Sequence, residues 1–366
     1  MKKIISILLV FAVLSFTLCG CGYEYKELNI RGTYTREFEG TEITVYNWGE
    51  YISDGADDTI DVNREFEKLT GIKVNYLTFE SNETMYAQIK NGGVKYDIVI
   101  PSDYMIERLI KEGELQKIDT AKLSNYDLID EQYKSVYFDE KNEYSVPYNV
   151  GMVGIIYNPT LVGEIEHSWN VLWDKKYKDK ALNFNNPRDA FMTAQMLLGQ
   201  DINSSNLKDW DKAAEKLKKG KANLQSYVMD EVYGKMETGE AAIAPYYAGD
   251  YLTMVENNED LKFFYPKEGT NIFIDSVCIP KNAKNVEAAM LYINFLLEPD
   301  IARANAEYIG YASPNTAVIN NPEYCYYQNE ILYPSKEAMP KVQYYRNIDD
   351  EIRKYYETLW VQVKLY

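Results

Sequence analysis

The sequence predicts an α/β protein of two lobes, each a mixed sheet flanked by helices. Three observations lead there. Between Ile43 and Gly113, strand-like and helix-like periodicities alternate three times, the pattern of a parallel sheet with covering helices. About 325 residues lie beyond Gly40, enough chain for two separate cores. A long apolar stretch, Val146 to Tyr157, suits a strand or a crossover between lobes, and Ile272 to Ile279 reads as a strand on the return.

In order, Ile43 to Trp48 reads as a strand. Val62, Phe66 and Leu69 follow at helical spacing, and Gly71 stops that helix. Ile72 to Phe79 alternates as a second strand. Ser81 or Asn82 can cap a helix carrying Met85 and Ile89. Tyr96 to Ile100 is a third strand, and Met105, Leu109 and Ile110 mark a helix closed by Gly113. Further helices are predicted over Pro187 to Leu198, Trp210 to Lys218, Val232 to Thr238, Val286 to Leu297 and Asp349 to Val363. Trp48, Ser102 and the loop after Phe184 lie at carboxyl ends of strands, where open α/β sheets hold ligands.

The N-terminus reads as an export signal. Lys2 and Lys3 precede an apolar run, Ile4 to Leu18, broken only by Ser6, Ser15 and Thr17. That run is shorter than the ~20 apolar residues of a membrane span. It ends in Leu18-Cys19-Gly20-Cys21, which resembles a bacterial lipobox: Gly20 admits the peptidase and the Cys21 thiol takes the lipid. Residues 1–20 are therefore expected to be a signal peptide, and 21–40 the lipidated cysteine and a polar tether. The expected division continues as 41–150 in lobe 1, 151–270 in lobe 2, 271–320 back in lobe 1, and 321–366 as a C-terminal segment on lobe 2. Beyond the anchor only Cys278 and Cys325 remain. Cys278 lies in an apolar strand pattern and reads as a packed free thiol.

The formal charge of −17 repels nucleic acid and anionic headgroups and favours a cationic solute. His167, the only histidine, has no Cys or His partner for zinc or base chemistry. The chain has no G-x-S-x-G, phosphate loop or dinucleotide fingerprint. No cofactor or metal is expected, and no enzyme activity. The 34 tyrosines and 5 tryptophans carry the remaining signal. Aromatic faces attract alkylammonium ions and pack their methylenes, and an opposed carboxylate adds a charge-assisted hydrogen bond. Trp48, Glu50 and Tyr51 form one such group, Phe273 and Asp275 another, and Tyr246, Tyr247 and Asp250 a third. Composition alone would read the aromatics as core packing.

Several blocks, in order across residues 41 to 320, resemble the spermidine/putrescine-binding proteins of polyamine ABC transporters. They include Tyr46-Asn47-Trp48-Gly49-Glu50-Tyr51, Phe79-Glu80-Ser81-Asn82-Glu83-Thr84-Met85-Tyr86, and Tyr96-Asp97-Ile98-Val99-Ile100-Pro101-Ser102-Asp103-Tyr104. Pro266-Lys267-Glu268-Gly269, Asp275-Ser276, Ile279-Pro280-Lys281-Asn282 and Ile309-Gly310-Tyr311 follow. The resemblance implies a type II periplasmic-binding-protein fold closing about a hinge. It implies a polyamine ligand, permease subunits with a cytoplasmic ATPase as partners, and a monomer on the outer face of the cytoplasmic membrane or the periplasmic side of a membrane.

Carried onto this chain, the resemblance gives Trp48 and Tyr51 to an aromatic wall, with Glu50 near an amine. Ser102 and Tyr104 would line the cleft, Ser102 doubling as a helix cap. Asp189 would grip a terminal amine, or act only as a first-turn acid behind Asn186. Tyr247 stands for a tryptophan platform, Asp250 matches putrescine-preferring relatives or else caps the helix that follows, and Phe273 replaces a tryptophan. Asp275 is the foremost acid, because a carboxylate among apolar neighbours needs a cation. Tyr311 would close the aromatic box. Asn186 replaces a second acid, which weakens the argument for a trication. Three other readings stay open: a ferric site built on Tyr246 and Tyr247, a glycosidase using two carboxylates, and an adhesive lipoprotein.

Overall fold

The computed structural model describes residues 28–366. The expected signal peptide, residues 1–20, and Cys21 lie outside the described residues. The chain forms strands β1 (Glu42–Trp48), β2 (Lys73–Phe79), β3 (Ile98–Val99), β4 (Ser145–Tyr157), β5 (Ala181–Phe184), β6 (Leu224–Val228), β7 (Ile243–Tyr247), β8 (Lys262–Phe264), β9 (Thr270–Cys278) and β10 (Val342–Gln343). Its α-helices are α1 (Val62–Thr70), α2 (Asn82–Asn91), α3 (Asp103–Lys111), α4 (Pro159–Val162), α5 (Pro187–Leu197) and α6 (Leu207–Lys221). They continue as α7 (Glu231–Glu237), α8 (Ala248–Asn257), α9 (Val286–Leu296), α10 (Pro299–Ile309), α11 (Thr316–Ile319) and α12 (Asp350–Leu365).

The opening alternation folds as its periodicity predicts. Asp61 caps α1 by accepting from Arg64 N, and Gly71 ends it at φ 74°, a left-handed conformation that favours glycine. Ser81 caps α2 in a reciprocal box with Thr84. β1 pairs in parallel with both β2 and β3. The third strand is shorter than its apolar run. Asp97 instead spends its carboxylate on the backbone N–H groups of Thr44, Lys284 and Asn285.

The strands run β2-β1-β3-β9-β4-β7-β5-β6, with β10 beside β9 and β8 beside β4. The first lobe is built on β2-β1-β3 and the second on β7-β5-β6. The antiparallel pair β4 and β9 passes from one to the other, and its register breaks between Pro147 and Asn149. That ribbon is the connection between the lobes. A hydrophobic core around Ile43, Phe66, Tyr292 and Phe295 fills the first lobe. In the second, Phe191, Trp210 and Tyr356 pack as aromatic neighbours, Trp210 and Tyr356 stacked at 4.8 Å.

Two segments differ from the sequence reading. Residues 28–40, read as tether, lie against the first lobe: Leu28, Ile30, Tyr34 and Phe38 pack on its core. The buried Glu298 carboxylate accepts from Arg31 N, Gly32 N, Tyr34 Oη and Asn125 Nδ2 at 2.6–2.7 Å. The C-terminal segment divides. Tyr324 packs with Ala302, Ala306 and Val318 on α10 and α11, whereas α12 covers α5 and α6 in the second lobe. Cys278 is buried and Cys325 exposed, and both are free.

Candidate ligand-binding site

Eight of the sequence-predicted residues meet where the lobes face each other. Asp275 sits on β9 opposite Asn149 of β4. It is 3 % exposed. Its Oδ2 accepts from Tyr51 Oη at 2.6 Å, while its Oδ1 has no hydrogen-bond partner. Burial pushes this acid up to about 6, with the hydroxyls of Tyr51 and Ser102 pulling the other way. Ser102 bridges to Asp275 along the backbone. Its side chain makes no cap bond to α3 although it stands at the cap position.

The Tyr51 ring meets Tyr311 edge-on at 5.7 Å. Tyr311 Oη reaches across the lobes and donates to Asp250 Oδ2 at 2.6 Å, and Tyr233 Oη donates to Asp250 Oδ1 at 2.6 Å. Asp250 therefore works in the first turn of α8 as an acceptor of two phenols, not as its cap. Phe273 lies between Tyr311 and Tyr247, at 6.0 and 5.7 Å. Two glycines permit this packing. A Cβ on Gly249 would stand 1.9 Å from Tyr311 Cδ1, and one on Gly151 2.2 Å from Phe273 Cζ.

Tyr247 Oη then donates to Asp189 Oδ2 at 2.8 Å. Asp189 also accepts from Asn186 Nδ2 at 3.0 Å. Asn186 caps α5 through Arg188 N at 2.9 Å, so Asp189 is both a first-turn acid and a cleft acid. Burial raises Asp189 and Asp250, and their tyrosine partners oppose the rise. Those phenols are themselves pushed well above their ordinary value, first by burial and then by the neighbouring carboxylates. They stay protonated donors at neutral pH.

Trp48 is half-buried and tilted on Phe79 at 4.6 Å, with its indole N–H buried and without a partner. Tyr104 is half-buried and bonds Glu83 at 3.0 Å and Asn82 at 3.2 Å. Glu50 does not join the cluster. It sits at φ 50° in the turn after β1, which throws its exposed carboxylate out to Tyr308 Oη at 3.0 Å. Sequence reasoning missed Tyr345, whose Oη donates to Asp189 Oδ1 at 2.8 Å, and Tyr233. It also passed over Asp103, fully buried and raised well above the carboxylate range by burial. No short-range signal marks Tyr345, which is 156 residues from its partner.

The geometry of the Tyr246-Tyr247 pair does not favour the ferric reading. The two rings meet at 5.0 Å, but the Tyr247 hydroxyl is spent on Asp189, and burial and nearby carboxylates push the Tyr246 phenol up, away from the phenolate a ferric ion needs. His167 is exposed and stacked on Phe264 at 4.2 Å.

Residues 62–333 match the bacterial extracellular solute-binding protein family. The chain belongs to that family. Across 86 % of its length it is 36 % identical to the spermidine/putrescine-binding periplasmic protein of Salmonella typhimurium, covering 90 % of that protein. A solved substrate-binding protein of a spermidine/putrescine ABC transporter from Streptococcus pneumoniae superposes with a TM-score of 0.77 at 36 % identity, over 89 % of this chain and 99 % of that one. A Treponema pallidum lipoprotein superposes with a TM-score of 0.78 at 26 % identity, over 89 % and 100 %. The chain is thus an exported solute-binding protein with the two-lobed type II fold, a homologue of polyamine-binding proteins, and not an enzyme.

Proposed function

We propose that this protein captures a polyamine, spermidine or putrescine, between its lobes and hands it to an ABC permease driven by a cytoplasmic ATPase. The observation that carries the reading is Asp275: a buried carboxylate with one oxygen unpaired, walled by Tyr51, Tyr311 and Phe273. An alkylammonium ion supplies what that oxygen lacks, and the rings take its methylenes. Asp250 and Asp189, each held by phenols, extend the negative lining along the cleft. The names of the relatives support the same cargo. We further propose that Cys21 carries a lipid that holds the protein at the membrane, a reading favoured by the Leu18-to-Cys21 motif and by a lipoprotein among its structural relatives.

Calorimetric titration with putrescine, cadaverine, spermidine and spermine tests the cargo. Saturable one-site binding of at least one amine is expected, and silence across the panel refutes it. Cys21→Ala is expected to abolish incorporation of labelled fatty acid and to release the protein from membranes.

A further inference from the structure

We infer that residues Tyr344 to Asn347 form a latch across the cleft, in which Tyr345 positions the site acid Asp189 and Arg346 locks the first lobe to the second through Glu107. The inference rests on the polyamine reading for its ligand, but its geometry stands apart from the acids that would hold the amine.

The latch is rooted in the second lobe. β10 pairs with Thr270 and Asn271 of β9, and Gln343 Oε1 accepts from Ile202 N at 3.1 Å. Asn203 then clamps the next turn, donating from Nδ2 to Tyr344 O at 2.8 Å and accepting from Arg346 N at 2.7 Å. The buried Arg188 donates to Arg346 O at 3.3 Å and lies 4.6 Å over the Tyr345 ring. From this base the segment reaches the first lobe. Arg346 Nη2 meets Glu107 Oε1 at 2.6 Å and Arg346 Nε meets it at 3.2 Å, while Asn347 N donates to Glu107 Oε2 at 2.6 Å. Tyr137 Oη of the first lobe donates to Tyr345 O, and its ring lies 4.3 Å beneath the Arg346 guanidinium. A second pair, Arg108 with Asp350, spans the same gap at 3.8 Å.

Both ends of the latch run into the site. Glu107 lies on α3 one turn beyond Tyr104, and α3 begins beside Ser102 and Asp275. Tyr345 meets the Tyr104 ring edge-on at 6.2 Å and holds Asp189 by its hydroxyl. Closing the lobes therefore brings Glu107 to Arg346 and seats Tyr345, bonded to Asp189 within the second lobe, against Tyr104; parting them breaks the Glu107 contacts and the Tyr104 packing that hold Tyr345 in place. Such a latch acts on ligand release more than on capture.

The test is a double-mutant cycle of Glu107→Gln and Arg346→Gln, read in two ways. Stopped-flow fluorescence with spermidine and putrescine measures association and dissociation. Each single variant is expected to release the amine about five- to twentyfold faster with little change in association, and the double variant no faster than either single one. Small-angle scattering without added amine reads closure directly, and each variant is expected to be more extended than the parent. Dissociation at the parental rate, or fully additive effects in the cycle, overturns the latch. If the parent binds neither amine, the cargo reading has failed and scattering alone decides, with equal dimensions overturning the latch.

Discussion

Replacing Asp275 with asparagine separates what this acid does for the ligand from what it does to the fold. The carboxylate is 3 % exposed, takes one hydrogen bond at 2.6 Å from Tyr51, and leaves Oδ1 without any. Truncating one side of a desolvated ion pair costs about 2–5 kcal/mol, so Asp275→Asn is expected to weaken amine binding about thirtyfold to several thousandfold. The free protein should move the other way. Burial lifts the acid from 3.8 to about 6. At pH values between those two, the folded chain holds a proton that the unfolded chain has released, so stability falls as pH rises through that window. Above about pH 6 the folded protein carries the whole penalty, on the order of 3 kcal/mol at ~1.4 kcal/mol per tenfold change in proton affinity. Asparagine has no such penalty. Thermal melting at pH 7 should therefore show the variant a few degrees above the parent without ligand and unmoved by saturating spermidine or putrescine. A variant that gains the parental ligand shift would falsify the assignment of Asp275 to the amine. A variant less stable than the parent at pH 7 would refute the account of its unpaired oxygen.

The same acid gives binding a pH dependence. A cation binds the ionised form, so affinity is full above about pH 6 and falls below it, by up to about tenfold per pH unit; calorimetry at pH 5 in buffers of different ionisation enthalpy should detect proton release on binding. Gly249→Ala places a Cβ 1.9 Å from Tyr311 Cδ1, which forces Tyr311 off Asp250. Losing that charge-assisted bond, at about 1.5–3 kcal/mol, should weaken amine binding about ten- to a hundredfold, and an unaltered titration curve would sink the proposed Tyr311 contact. Glu298→Gln replaces an acceptor of four donors with a group that must also donate. A loss of about 2–3 kcal/mol in urea unfolding is expected, with amine affinity unchanged.

The fold was legible wherever local chemistry decides it. Asp61, Gly71 and Ser81 set helix ends through bonds to residues a turn away, and β1 and β9 carry apolar runs that a buried sheet satisfies. The site was legible in part for the same reason. Asp275 lies in a nine-residue strand that is buried throughout, and a carboxylate there needs a partner whatever the topology. The partners themselves were not legible. Tyr51 is 224 residues from Asp275 and Tyr345 is 156 from Asp189, and nothing in either neighbourhood says which hydroxyl will arrive. Glu50 shows the converse error. Its place between Trp48 and Tyr51 suggested a shared wall, but the positive φ of the turn sends its side chain outward.

The abundance of tyrosine takes on a specific meaning in this arrangement. A buried carboxylate must be hydrogen-bonded, and lysine or arginine would do so while cancelling its charge. A phenol whose ionisation is pushed well above its ordinary value donates and remains neutral. Tyr51, Tyr233, Tyr247, Tyr311 and Tyr345 thus hold Asp275, Asp250 and Asp189 in place and leave their charge for a cation. The difference among the three acids is then one of occupancy. Asp250 has two phenol donors, and Asp189 two phenols and an amide, whereas Asp275 has one phenol donor, the nearby Ser102 hydroxyl and an oxygen without a bond. Arg188 also lowers Asp189 by its charge. On the polyamine reading an amine is therefore expected to be held hardest at Asp275 and least at Asp189, so that one end of the ligand is gripped more firmly than the other.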